Sequence, residues 1–229
     1  VNRPAIRERC AISSEDSRGN SRSHKPILTV TEALVHLAIV TVGILIALSL
    51  EGARQWHEHR SLVAETRENL TREIEANRTE LAGYVENATA MQNELMHARE
   101  VAEEVGDGKP LHDMAIELTY HGAELQSASH TTAELTGAFA FMSRDDVVKY
   151  ARVYDRQAIF QRRQDQVFAD FVGAFAGTQL LAGGTRKAST RELEDWARAL
   201  STAQASAEIA KQVAGALNEE YRRALTGGH

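Results

Sequence analysis

From Ala33 to Leu50 the chain places eighteen residues in a row without a fixed charge, and only Glu32 separates them from the apolar stretch Ile27–Thr31. At 1.5 Å per residue those eighteen span about 27 Å as a helix, close to the ~30 Å hydrocarbon core of a bilayer. Trp56 follows just beyond, where an indole suits a headgroup region. The pattern predicts one transmembrane helix. A cleaved signal peptide is the rival, because a basic tail precedes the run and Ala47-Leu48-Ser49 resembles a cleavage site. Signal cores span about 7–15 residues, however, and here the helical pattern continues through the site, which favours a retained anchor.

Past the anchor the apolar positions fall into a repeat of alternating fours and threes. Val63, Leu70, Asn77, Tyr84, Met91, Ala98 and Val105 form one seam position; Arg67, Ile74, Leu81, Ala88, Leu95 and Ala102 form the other. This spacing predicts one helix from the membrane to Glu104, whose arm from Ser61 to Val105 reaches about 68 Å. Gly106-Asp-Gly-Lys-Pro110 stops it. Residues 111–130 are ambiguous: Ile116, Leu118 and Tyr120 alternate as in an extended stretch, but a helical turn fits as well. Thr131-Thr-Ala-Glu134 reads as a capping box before a short helix to about Met142. Ser143-Arg-Asp-Asp146 starts the next helix, with Val147, Ala151, Tyr154, Ala158, Phe168, Val172 and Phe175 along its apolar face and Gly183-Gly184 at its end. Ser189-Thr-Arg-Glu192 caps the last helix, whose face runs Leu193, Trp196, Leu200, Ala203, Ala207, Ala210, Ala214, Leu217, Tyr221 and Ala224.

The fold class expected is all-α: an N-terminal transmembrane helix continuing into a long amphipathic helix that packs, with two others, in an antiparallel bundle. Three regions follow: a basic cytoplasmic tail over 1–26, the anchor and interface over 27–55, and a helical bundle over 56–229. The 4–3 repeat also fits a parallel coiled coil between chains, with Glu73 and Arg78, and Glu94 and Arg99, at facing positions. Two further long helices in the same chain make intramolecular burial the better reading, and a homo-oligomer is left open.

Charge gives the topology. Residues 1–26 hold six Lys/Arg against three acidic residues, and only Arg54 and Arg60 follow the span within about fifteen residues. The tail is therefore expected in the cytoplasm of a bacterial inner membrane and the body in the periplasm. The remaining chain carries 20 basic and 29 acidic residues. That balance argues against nucleic acid as a partner, because phosphate binding needs a basic face. Cys10 is the only cysteine, so no intrachain disulfide forms.

The segment Gly43-Ile-Leu-Ile-Ala-Leu-Ser-Leu-Glu51, then Trp56-His57, His59-Arg60, Glu68-Asn-Leu70 and Arg72-Glu-Ile-Glu-Ala-Asn77, resembles uncharacterised bacterial single-pass membrane proteins with an N-terminal anchor helix and a helical extracytoplasmic region. Ala133-Glu-Leu-Thr-Gly-Ala138 and the stretch from Tyr150 to Tyr154 extend the resemblance over most of residues 33–170. It implies an architecture and no activity.

Candidate chemistry is sparse. Gly43-x-x-x-Ala47 offers a small-residue face for helix contact in the membrane. Glu32 and His36 stand four apart at the cytoplasmic end, either a snorkelling boundary pair or, less readily, a proton relay. Asn77, Gln161 and Asp165 could gather as a polar cluster inside the bundle. His57 and His59 diverge by about 200° on a helix, and no H-E-x-x-H, C-x-x-C or i, i+4 histidine pair occurs. His97, His112, His121 and His130 are scattered near the ambiguous region. Nucleophile and phosphate-loop motifs are missing too. No metal, cofactor or catalysis is expected. The sequence instead suggests a scaffold or accessory subunit binding other membrane or periplasmic proteins, with a ligand-sensing bundle as the alternative.

Overall fold

The computed structural model describes residues 30–109, 116–182 and 188–227. The basic tail, Pro110, His112 and the glycine pair at 183–184 lie outside them. Among the described residues there are four α-helices: α1, Val30–Gly106; α2, Ala128–Leu135; α3, Arg144–Ala182; and α4, Thr190–Thr226. A 3-10 turn, Ala138–Phe141, joins α2 to α3. The chain divides into two units, the first ending at Gly52 and the second starting at Ala53.

In the first unit the described residues form one helix, the N-terminal part of α1. Its apolar stretch is long and apolar enough to cross a membrane, and none of that stretch is buried within the chain. Leu37, Ile39, Ile44 and Leu48 are all exposed. Water solvates such a surface poorly, at a cost of roughly 25 cal/mol per Å².

The second unit is a helical bundle. On α1 the predicted seam is buried within the same chain: Leu70, Ile74, Asn77, Leu81, Tyr84, Ala88, Met91, Leu95 and Ala98. This uses up the face an interchain coiled coil would need. Arg67 departs from the seam. It is exposed and pairs with Asp146 at 2.6 Å, and Thr66 is buried in its place. On α4 the predicted face is buried from Leu193 to Tyr221. Ala203, Ala207, Ala210 and Ala214 have no exposed surface, so α4 approaches its neighbours closely. The capping box at Ser189 and Glu192 forms as expected.

Contacts between helices fix their directions. Arg67 meets Asp146, Glu73 meets Tyr154, Asn77 meets Gln157 and Tyr84 packs on Phe160, so α1 and α3 run parallel. Gln157 meets Tyr221 while Ala174 meets Trp196, so α4 runs antiparallel to α3. Gln92 meets Glu208 and Lys211 on the antiparallel α4. Two parallel neighbours in sequence order need a return path, and residues 116–127 supply it as a non-helical segment. Thr119 bonds Glu94 and Gln126 bonds Asn77. Seventeen helical residues cover about 26 Å, and seven residues match that only when almost fully stretched, at about 3.3–3.6 Å each. Over residues 116–127 the extended option is the one realised, while 128–130 already belong to α2 and 111–115 lie outside the described residues. The expected short connection between the first two long helices is replaced by this crossing, and of the three long helices among the described residues α4 runs antiparallel to the other two.

Three local expectations are corrected. Helix α2 starts at Ala128, ahead of the predicted cap, and the Thr131 hydroxyl donates back to the Ser127 carbonyl. Instead the Glu73 carboxylate of α1 accepts the free Ser129 N–H in the first turn of α2, at 2.7 Å. A carboxylate is favoured there by the helix dipole. Gly137, at φ +70°, then breaks the helix that was expected to reach Met142. On α3 the buried stripe is Tyr150, Val153, Tyr154, Gln157, Phe160, Val167, Phe171 and Ala174. Of the predicted face only Tyr154 is fully buried; Ala151, Phe168, Val172 and Phe175 are exposed.

Candidate functional site

Among the described residues the bundle interior holds a polar network around Asn77, with a second hydrogen-bonded group around Glu73 one turn away. Asn77 occupies a seam position where an apolar residue would be ordinary, and it is 1% exposed. Its Oδ1 accepts the Gln126 N–H at 2.7 Å, and its Nδ2 donates to the Gln126 carbonyl at 2.7 Å. One side-chain amide thus pairs with both polar groups of a single backbone residue, as a neighbouring β-strand would. Nδ2 also donates to Gln157 Oε1 at 3.2 Å. Gln157 Nε2 donates to the same Gln126 carbonyl at 2.8 Å, and the Tyr221 hydroxyl donates to Gln157 Oε1 at 2.7 Å. One turn before Asn77, Glu73 accepts the Tyr154 hydroxyl at 2.5 Å and the Ser129 N–H. Burial pushes the Tyr154 hydroxyl pKa up, and its bond to Glu73 pushes it further. Burial and the Glu73 charge raise Tyr221 as well. Both phenols stay protonated donors over the ordinary pH range.

A second clamp repeats the device. Gln164 Oε1 accepts the Ala123 N–H at 2.8 Å while its Nε2 donates to the Ala123 carbonyl at 3.1 Å. Glu94 accepts the Thr119 N–H at 2.7 Å, and Glu80 accepts that of Glu124 at 3.3 Å. A buried backbone group left unpaired costs about 1–3 kcal/mol. The return segment has no strand beside it, so side chains of α1 and α3 satisfy it. The chemistry here is hydrogen-bond satisfaction, and the chain's own backbone occupies the amide groups.

Of the three residues predicted to cluster, Asn77 stands at the centre of the network. Gln161 is half-buried and reaches the Leu125 carbonyl at 3.4 Å. Asp165 is exposed on α3. Glu73, Tyr154, Gln157 and Tyr221 were not anticipated. Glu73 and Asn77 sit four apart on one face of α1, a signal available in the sequence, but Gln157 and Tyr221 become partners only through packing.

In the first unit Glu32, His36, Gly43 and Ala47 are all exposed, and a side chain added at Gly43 would meet nothing. In the second unit Arg60 lies over the Trp56 ring at 5.3 Å, and His59 stacks on Phe141 with centroids 3.7 Å apart. His130 packs on Tyr154 at 4.2 Å, whereas His57, His97 and His121 are exposed. Among the described residues no three His, Cys, Asp or Glu side chains converge as a metal site would require.

An exposed apolar stripe lies on α3, beside Tyr120, whose ring centroid is 5.1 Å from that of Phe168. Phe168, Val172 and Phe175 are 51%, 49% and 47% exposed. Between Val167 and Ala182 the sequence contains a single charge, Asp170. A helix apolar around its circumference is normally covered around it as well. Here one side is buried against α1 and α4, with Trp196 Nε1 donating to the Ala174 carbonyl, and the other is about half exposed, Tyr120 covering part of Phe168. Comparison with protein-family models, curated proteins and solved structures finds no match to the chain.

Proposed function

We propose that this protein is a membrane-anchored helical scaffold, or accessory subunit, whose body binds other proteins in the periplasm. The observation that carries the reading is the half-exposed apolar face of Phe168, Val172 and Phe175 on α3. Single exposed apolar residues are common on protein surfaces, but a contiguous apolar stripe marks an interaction surface. The apolar stretch of α1 supports the anchor, and the basic excess before it supports a cytoplasmic tail. The interior network supports a binding surface over an internal ligand pocket, because its amides are already paired with the Gln126 and Ala123 backbone.

The test is co-purification of the full chain in mild detergent, wild type beside Phe168→Glu and Phe175→Glu. Loss of a stoichiometric companion from both variants, with helix content retained, is the expected result. Equal recovery of every companion from variants and wild type would refute the binding role of this face. A reporter fused after His229 tests the topology: it should be active only in the periplasm.

A further inference from the structure

The geometry points to a lipid site where α1 enters the bundle: a groove between Trp56, Arg60 and Phe141 that seats the headgroup of an anionic phospholipid. This rests on the reading of the α1 apolar stretch as a membrane anchor and adds a ligand beside it. The groove lies within the second unit and measures about 520 Å³, a size that holds a small ligand. Trp56, His59, Arg60, Val63 and Arg67 of α1 line it together with Phe141 of the 3-10 turn.

Chain connectivity keeps this groove at the bilayer surface. Trp56 follows Leu50, the end of the apolar run, by six residues. Six residues rise about 9 Å as a helix and cannot exceed about 22 Å even when fully stretched. A second segment comes down α1 to the same end. Helix α2 starts beside Glu73, which accepts the Ser129 N–H, and Phe141 stacks on His59, roughly four turns earlier on α1. The chain then turns back, and Asp146 meets Arg67. Trp56, Leu135 and Phe141 are 61%, 83% and 47% exposed. Water solvates such groups poorly, whereas the boundary between headgroups and acyl chains accepts them.

Charge selects the headgroup. No acidic side chain lines the groove. Glu58, nearby on α1, pairs with Arg54 at 3.2 Å, and Arg67 is answered by Asp146. Arg60 has no carboxylate partner among the described residues; its guanidinium lies over the Trp56 ring at 5.3 Å. A guanidinium on an aromatic face still offers its fork of N–H donors to phosphate oxygens. The groove therefore joins a cation with an unanswered charge to apolar walls, which suits a phosphate carrying acyl chains better than a free phosphate.

The experiment reconstitutes the full chain in phosphatidylcholine vesicles containing phosphatidylglycerol, with either lipid brominated on its acyl chains, and reads tryptophan quenching. The chain has two tryptophans, and Trp196 is buried, so Trp56→Phe should remove most of the quenching. At equal fraction, brominated phosphatidylglycerol should quench Trp56 about fivefold more effectively than brominated phosphatidylcholine, the factor one arginine contributes at an anionic surface. Arg60→Gln should abolish that preference with helix content unchanged. Arg156→Gln, an exposed arginine beside Gln157 and far from the groove, should keep it. Excess inorganic phosphate should not compete; reversal by phosphate would overturn the lipid assignment in favour of a free anion. Equal quenching by the two lipids, or an unchanged preference in Arg60→Gln, would overturn the site while retention through an alkaline carbonate wash leaves the anchor standing. Release of the protein by that wash would remove both. A protein companion lost from Arg60→Gln, with the lipid preference intact, would assign the groove to a protein and overturn the proposal.

Discussion

Truncating Asn77 to alanine should cost this bundle roughly 2–4 kcal/mol. The side chain makes three hydrogen bonds from a site that is 1% exposed. Two of its partners keep a second one. The Gln126 carbonyl still accepts from Gln157 Nε2, and Gln157 Oε1 still accepts from Tyr221. The Gln126 N–H keeps none, and an orphaned donor costs about 1–3 kcal/mol. The other two bonds and the space left by the amide account for roughly 1 kcal/mol more. Tyr221→Phe is the informative comparison. It removes one donor and leaves Gln157 Oε1 still bonded by Asn77, so about 0.5–1.5 kcal/mol is expected. Urea titration of the full chain in mild detergent, followed by far-ultraviolet circular dichroism, measures both through the shift in midpoint. Hydrogen exchange supplies a local readout, because the Gln126 amide should lose protection in Asn77→Ala and keep most of it in Tyr221→Phe. An Asn77→Ala cost no larger than that of Tyr221→Phe, or an unchanged Gln126 amide, would refute the view that side-chain amides hold the return segment.

Gly177→Ala should loosen the contact of α3 with α4 by about 1–3 kcal/mol, since its Cβ would come 1.9 Å from a Trp196 ring atom; thermal melting reads this directly. Tyr84→Phe should be neutral or stabilising by up to ~2 kcal/mol in the same assay, because the Tyr84 hydroxyl is buried and has no hydrogen-bond partner among the described residues. Burial, and the nearby Tyr120, raise that hydroxyl to about 12, and a shift of its ultraviolet titration back toward 10 would refute this account of its surroundings. For Asp146, burial opposes the charged form, but hydrogen bonds from Ser143, Lys149 and Arg67 outweigh it and hold the carboxyl at about 2. Its folded value lies below the unfolded one of about 3.9, so the stabilisation is complete above pH ~4 and is lost as pH falls towards 2. Asp146→Asn should flatten the acid limb of a stability–pH curve.

The long helices were legible because helix-forming physics is local. The apolar run from Ala33 to Leu50, the 4–3 seam of α1, the Ser189 cap and the face of α4 all follow from residues within a few turns of one another. The seam's period also said that α1 is covered along one side, and the presence of two more long helices correctly pointed to its own chain. What needed the tertiary structure was everything settled by distant partners. The sequence of α3 carries two overlapping apolar stripes, and periodicity cannot choose between them. The buried one sets Gln157 against Asn77 and Tyr221 and brings Ala174 to the Trp196 indole. The direction of α3 was equally closed to local reasoning. Residues 116–127 form no helix and have no strand beside them, so their path is decided by Glu94, Glu80, Asn77 and Gln164, side chains 25 to 49 positions away in the chain. A backbone that must be satisfied by side chains from elsewhere leaves no periodic trace in its own sequence; only packing decides which amides reach it.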